Sequence, residues 1–254
     1  MLFYFSATGN TKHVTDEIRK KDEEVISIEE AVNTGNYNFE IKDNRVGILV
    51  PTYIWGLPSI VYEFMEKLNL KFDKKPYVFY VGTFGTTTGA ASLSIDNFLK
   101  KNGLMLDAKF GIRMPDTWTI TFDLSDAQEV EKKLLKSDEE IANLKNQLSQ
   151  ELKGKYLKFT LPGFIGKLGK FIYDGNVRKT KNLSVSDECI GCCLCAKKCP
   201  VQAIEMKDGK PKWVKEVCTM CLGCLHRCPK YAIYYANGKA TNAHGQYTYT
   251  KYRK

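Results

Sequence analysis

The sequence predicts an α/β chain: a parallel sheet with covering helices in the first part, then a small α+β domain. Three observations carry this. Apolar runs at 1–5, 45–50 and 77–81 each deliver a loop rich in hydroxyl and glycine residues, and each loop leads into a helical stretch. Runs that are apolar throughout are those of strands buried on both faces, and strand, loop and helix in alternation is the pattern of a parallel sheet. A long charged amphipathic helix closes this part. Beyond it a cysteine-rich segment is written twice, the second copy 29 residues after the first.

In chain order, residues 1–5 form a compact apolar strand and Ser6-Ala7-Thr8-Gly9-Asn10-Thr11 precedes a helix to about Lys20. Such a turn is an anion site by construction, because free amides and the helix dipole point at it and hydroxyls add donors. A weaker strand spans Glu24 to Ile28. Arg45 to Val50 is a buried strand that delivers Pro51-Thr52-Tyr53-Ile54-Trp55-Gly56, then a helix through roughly Leu68. Tyr77 to Val81 delivers Gly82-Thr83-Phe84-Gly85-Thr86-Thr87-Thr88-Gly89 before a helix to about Lys101, and Ala108 to Arg113 is the fifth strand.

The loop Ser-Ala-Thr-Gly-Asn-Thr resembles the FMN-phosphate loop of flavodoxins, and the other two loops stand where that family flanks its flavin. The resemblance covers about residues 1–150. It implies a flavodoxin-like, doubly wound, parallel five-stranded sheet with FMN at the carboxyl ends of its strands. Carried over, Ser6, Ala7, Thr8, Gly9, Asn10 and Thr11 hold the phosphate, while Pro51, Thr52, Tyr53, Ile54, Trp55 and Gly56 flank the ring. Thr83, Phe84, Gly85 and Gly89 close its other edge, and Trp55 is the expected stacking partner. The bland alternative for Trp55 and Phe84 is core packing. Flavodoxins that shuttle electrons alone carry an acidic surface near the flavin, whereas Lys12, His13 and Arg113 stand in that vicinity here.

Met114 to Leu124 is a loop carrying Trp118 and Phe122, expected either to cover a pocket or to pack against the second domain. From Ser125 to about Lys153 runs a helix capped by Ser125 or Asp126, with Val130, Leu134, Ile141, Leu144, Leu148 and Leu152 as its apolar stripe. In the linker that follows, Phe164, Ile165, Leu168, Phe171, Ile172 and Tyr173 recur at helical spacing with lysines between. A basic amphipathic segment suits a membrane surface. Docking of one domain on the other is the commoner use and the expectation adopted.

Cys189, Cys192, Cys195 and Cys199 with Pro200 read C-x2-C-x2-C-x3-C-P, and Cys218, Cys221, Cys224 and Cys228 with Pro229 repeat it. Ala203-Ile204 and Ala232-Ile233 extend the repeat. Zinc explains paired C-x-x-C units but neither the third cysteine in register nor the Cys-Pro of both runs. The pattern resembles two-cluster bacterial-type ferredoxins. In that arrangement the fourth cysteine of each run serves the other cluster, which implies Cys189, Cys192, Cys195 and Cys228 on one [4Fe-4S] cube and Cys218, Cys221, Cys224 and Cys199 on the second. Gly191 and Gly223 suit tight turns around sulfur. Cys193, which has Leu222 as its counterpart, reads as a small packing residue.

Eight cysteines used as ligands leave one of nine, which is no disulfide framework and suits a reducing compartment. Met1 leads into a strand without a basic leader, and no run of about 18 apolar residues occurs. A cytoplasmic protein without stable membrane insertion is expected. The formal charge of +9 gathers mid-chain, at Lys153, Lys155, Lys158, Lys167, Lys170, Arg178, Lys179 and Lys181. A solvated face or a dock for an acidic partner explains it better than nucleic-acid binding. Residues 237–254 form a polar tail, expected as an edge strand or a mobile end.

The whole resembles the flavodoxin–ferredoxin fusion proteins of anaerobic bacteria and archaea, with a flavodoxin-like domain over 1–153, a basic linker over 154–185 and a ferredoxin domain over 186–236. The resemblance implies an iron–sulfur flavoprotein that passes single electrons between two [4Fe-4S] clusters and FMN, serving a redox partner protein. Two rivals stay open: a flavin-dependent reductase of a small organic substrate fed by the clusters, and a ferredoxin joined to a flavin-free docking domain.

Overall fold

The computed structural model describes residues 1–235 and 244–253. Contacts divide the chain into one unit of 1–6, 10–114 and 133–170, and another of 7–9, 115–132 and 171–254. The first unit contains β1 (Leu2–Tyr4), α1 (Asn10–Ile18), β2 (Val25–Ser27), α2 (Ile28–Thr34), β3 (Asn38–Glu40), β4 (Arg45–Pro51), α3 (Ser59–Lys67) and β5 (Asn69–Lys71). It continues through β6 (Tyr77–Phe84), α4 (Ala91–Leu99), β7 (Ala108–Arg113), most of α5 (Ala127–Ser149), β8 (Gly154–Tyr156) and the start of α6 (Gly163–Ile172).

Its sheet is parallel throughout, in the order β2-β1-β4-β6-β7-β8. Every residue of β6 and all but the last of β4 are buried, as central strands covered on both faces must be. The order reverses between β1 and β4, the switch point beside which parallel sheets of this kind bind their ligands. The helices expected after the first, third and fourth strands are α1, α3 and α4. Asp126 caps α5, its Oδ1 accepting from the Gln128 and Glu129 amides at 2.8 and 3.2 Å. Below the helix, Leu134, Ile141, Leu144 and Leu148 are buried as the stripe requires.

The expected five strands are six. β8 pairs parallel to β7, with Ala108 opposite Gly154 and Phe110 opposite Tyr156. It is short, exposed along its length and lysine-bearing, which suits a sheet edge open to solvent. No apolar run announces it in the sequence, because its main chain rather than its side chains holds it to the sheet. Tyr156 adds a stacked contact with Phe110, ring centres 5.1 Å apart.

The second unit is built on the repeat. It contains β9 (Leu183–Val185), α7 (Leu194–Lys197), β10 (Ile204–Lys207), β11 (Lys210–Trp213), α8 (Gly223–His226), β12 (Ile233–Tyr235) and α9 (Tyr249–Tyr252). Two antiparallel pairs form, β9 with β12 and β10 with β11. The 29-residue offset of the cysteines carries α7 onto α8 and Ile204 onto Ile233. Backbone conformation repeats as well. Gly191, Cys193 and Gln202 have positive φ, and so do their counterparts Met220, Leu222 and Tyr231. Gly191 needs no side chain for a further reason, since a Cβ there would meet the Gly209 carbonyl oxygen at 2.9 Å. Gly223 instead opens α8.

The Met114–Leu124 loop packs inside this unit from Pro115 onward, Trp118 meeting Tyr235 edge to face at 5.4 Å. Residues 244–253 are neither an edge strand nor loose. Tyr247 is fully buried, and Gln246 donates to the Leu225 and Cys228 carbonyls at 2.7 and 2.9 Å. Residues 236–243 and 254 of the expected tail lie outside the described residues.

Candidate cofactor sites

In the first unit, Thr11 at the start of α1, Thr52 just after β4 and Thr83 near the end of β6 come together. The Thr11 and Thr83 hydroxyls lie 2.7 Å apart, and the Thr52 amide donates to the Thr83 carbonyl at 2.9 Å. Asn10 and Thr11 are buried in the first turn of α1, and Ser6 is half-buried just before it. Thr52 Oγ1 approaches Tyr80 OH, yet both are buried without a well-formed hydrogen bond. A buried hydroxyl in this state favours a ligand that completes it.

Residues 53–56 form a closed turn in which the Tyr53 and Gly56 main chains bond reciprocally at 3.0 and 2.9 Å. Its two central residues, Ile54 and Trp55, both have positive φ, at 42° and 64°. A branched and an aromatic side chain in this region cost energy that glycine or asparagine would save. Trp55 stands at the tip of this turn, 37% exposed. Two neighbours fix the turn: the Ala90 amide donates to the Trp55 carbonyl at 2.8 Å, and α6 lies against its main chain. A Cβ at Gly169 would stand 2.2 Å from the Ile54 oxygen, and one at Gly166 would stand 2.6 Å from Ala90 Cβ. Gly163, Gly166 and Gly169 form a small-residue face readable as G-x-x-G-x-x-G, a signal the linker reading passed over.

The remaining ring-flanking candidates are placed differently. Phe84 is buried, its ring 6.4 Å from that of Phe159, while Thr83 is buried and Gly85 half-exposed. Gly89 lies beneath Trp55. Pro51, Thr52, Tyr53 and Ile54 are half-exposed, and Gly56 is buried. Arg113 donates to the Gly85 carbonyl at 2.8 Å and lies over Phe159, and Lys12 pairs with Asp16, so both cations are already engaged.

Ala7, Thr8 and Gly9 group with the second unit. There the Arg227 guanidinium donates to the Ala7 carbonyl, and the Tyr249 amide donates to the Thr8 carbonyl at 2.8 Å. Neither partner was foreseen from sequence, because both lie more than two hundred positions away along the chain.

The cysteines of the second unit sort into two cavities. Cys189, Cys192, Cys195 and Cys228 line one, with Cys193 beside them. Cys199, Cys218, Cys221 and Cys224 line the other. The fourth cysteine of each run thus faces the cavity of the opposite run, and apolar neighbours such as Ile190, Ile233, Ile204 and Leu222 complete the walls. Main-chain amides already point at sulfur: Ala203 at Cys199 (3.2 Å), Ala232 at Cys228 (3.3 Å) and Met220 at Cys218 (3.2 Å). Such donors stabilise negative sulfur and raise a cluster's potential. Each cavity thus gathers four cysteines of the repeat, the number of thiolates that a [4Fe-4S] cube takes.

Burial pushes the free thiols up: Cys195 and Cys218 to about 11, Cys221 to about 12, and Cys224 well above its ordinary value. Thiols so placed are protonated near neutrality, so metal must displace protons to bind. Cluster retention is expected to fall with acidity, visible as bleaching of the iron–sulfur absorbance. His226 shares the neighbourhood and stays neutral, burial lowering it to about 4. Its Nε2 lies 2.8 Å from the Thr117 carbonyl and its Nδ1 3.2 Å from the Tyr247 amide, which fixes the proton on Nε2.

A flavodoxin-domain family model matches residues 1–148, more than half the chain, and a 4Fe-4S dicluster model matches 181–229. The chain belongs to the flavodoxin family. This flavodoxin carries an iron–sulfur domain behind its family fold, and the two together make an electron-transfer iron–sulfur flavoprotein. Among solved structures it is similar to rubredoxin oxygen:oxidoreductase from the anaerobe Desulfovibrio gigas, at 14% identity and a TM-score of 0.31. That match covers 58% of this flavodoxin and 36% of the other chain. A search of curated proteins found no match.

Proposed function

We propose that the chain holds one FMN and two [4Fe-4S] clusters and carries single electrons between a low-potential donor protein and an acceptor. The sorting of eight cysteines into two sets of four, each drawn from both copies of the repeat, carries this reading. Cys189, Cys192, Cys195 and Cys228 are assigned to one cube, and Cys218, Cys221, Cys224 and Cys199 to the other. Bound together, FMN supplies a group that takes one or two electrons and each cube a group that takes one.

The chain's own work is positioning. Ser6, Thr8, Gly9, Asn10 and Thr11 are assigned to the phosphate, where hydroxyls and helix-start amides complement negative charge. Thr52, Tyr53, Trp55 and Gly56 are assigned to the ring. The unsatisfied Thr52 hydroxyl and the strained, partly exposed Trp55 turn support that assignment. Cross-linking the two copies of the repeat through Cys199 and Cys228 makes each cube depend on both halves of the fold.

Gly169→Ala tests the turn. The added methyl meets main chain rather than a yielding side chain, so Trp55 must move. A strain of about 1–3 kcal/mol placed on the turn corresponds to a loss of FMN affinity of up to about a hundredfold, with iron content unchanged. FMN titration followed by flavin fluorescence reads this directly; unchanged affinity removes α6 from the site. The function itself is tested by anaerobic purification with acid-released flavin, iron and sulfide counted per chain. About one FMN with two cubes is expected. Two cubes without flavin, even after adding FMN, leaves a ferredoxin on a docking domain.

A further inference from the structure

Helix α6 is turned inside out. Its buried residues are Gly166 and Gly169, whereas Phe164, Leu168 and Phe171 are 69%, 50% and 77% exposed. These three stand at i, i+4 and i+7 and form one stripe along the helix. Close contact with the Ile54–Trp55 main chain admits only glycine on the inner side, so the large side chains are forced outward. Phe159, 57% exposed, lies just before the helix. Single exposed apolar residues are ordinary, but aromatic rings gathered on one helix face mark a surface that is covered in use.

Charge says by what. Residues 153–181 hold eight lysines and arginines against one acid, Asp174, which already pairs with Arg178 at 2.7 Å. Lys167 is exposed on the helix itself, and Lys155 and Lys158 are exposed in the segment that leads into it. Lysine is depleted at the centres of protein interfaces, where arginine and aromatic residues are enriched. Phenylalanine and leucine on one face with lysines alongside is the composition of helices that lie in a headgroup layer, rings in the acyl boundary and ammonium groups at the phosphates. No helix among the described residues is long and apolar enough to cross a membrane, so the contact is with a surface.

We propose that α6, with the lysine-bearing segment before it, seats the protein on an anionic lipid surface through Phe164, Leu168 and Phe171. Ten helical residues and a handful of lysines give reversible adsorption. The seat rests on neither cofactor assignment.

The full chain is sedimented with vesicles of equal parts phosphatidylglycerol and phosphatidylcholine, and with phosphatidylcholine alone, at low and high salt. Binding to the anionic vesicles is expected, weakened by salt and at least about tenfold weaker in the double variant Phe164→Ser, Phe171→Ser. Both positions are exposed, so the variant should keep the parent's melting temperature and iron–sulfur absorbance. Lys167→Gln with Lys158→Gln should lose anionic selectivity while the rings remain. Absence of binding to the anionic vesicles overturns the proposal, and so does binding that the double variant retains. A chain that elutes as a dimer, reverts to a monomer in the double variant and ignores vesicles overturns it in favour of a second copy on this face.

Discussion

Cys228→Ala is expected to cost the protein the cluster of the first cysteine run, not that of its own run. Cys228 lines the cavity of Cys189, Cys192 and Cys195, while Cys199 lines that of Cys218, Cys221 and Cys224. Removing one thiolate leaves a cube with an unprotected corner, so up to about four of about eight irons should be lost. Because the two cubes absorb alike, pairs of substitutions decide which one went. Cys228→Ala with Cys189→Ala should lose no more iron than Cys228→Ala alone, since both act on one cube. Adding Cys218→Ala instead should empty both. Iron and sulfide analysis of the three proteins, purified without oxygen, reads the outcome. The opposite pattern would mean that each run supplies its own fourth ligand, and the crossed assignment would fall.

Glu23→Gln should be among the most destabilising substitutions in the first unit. Arg45 opens β4 with its guanidinium buried, and Glu23 answers it from the turn after α1 with its own side chain only 3% exposed. Arg45 Nε donates to Glu23 Oε1 at 2.7 Å and Nη2 to Oε2, while Nη2 also reaches the Ile18 carbonyl at 3.0 Å. The pair locks α1, the turn after it and β4 together. Glutamine keeps the shape but removes the charge, leaving a buried cation unpaired at a cost of about 3–5 kcal/mol. For a unit of this size that is a drop in melting temperature of roughly 10 °C. A shift near zero would show that water reaches Arg45 and that the pair contributes little.

The same pair sets an acid limit. Burial alone pushes the Glu23 carboxyl up, but hydrogen bonds from Arg45 and the Lys20 amide, with the Arg45 charge, outweigh it and hold the group below its ordinary value. A carboxyl lowered in the folded state contributes stability that is fully present above the unfolded value of about 4.3 and fades as pH falls through the folded one. Glu23→Gln should therefore flatten the acid side of the stability profile. Denaturant melts of both proteins across that range would show the two curves converging at low pH; parallel curves would place the acid limit elsewhere.

The sequence by itself determined the elements whose side chains leave a signature. β4 and β6 are apolar along nearly their whole length because both faces are covered, and the stripe of α5 is there because one face is. The cysteine repeat determined more than ligand spacing: its 29-residue offset recurs in helices, strand starts and positive-φ positions, so a duplication visible in letters is a duplication of backbone. The strand and helix on either side of the turn at 5–9 were legible too, because an apolar run, a hydroxyl-rich turn and a helical stretch follow one another locally.

Tertiary structure alone decided what depends on main chain or on distant partners. β8 has no pattern because an edge strand this short is held by main-chain pairing to β7. The periodicity of α6 was visible, but not which face turns inward: small residues win where two backbones touch, and that contact with the Ile54–Trp55 turn is made from more than a hundred residues away. Tyr247 reads as one of several tyrosines in a polar tail, yet it is buried because His226 and Gln246 hold its segment against α8. Glu23 looks like any surface acid until the fold brings Arg45 to it, since a charge is read as buried or exposed only when the fold assigns it a neighbour.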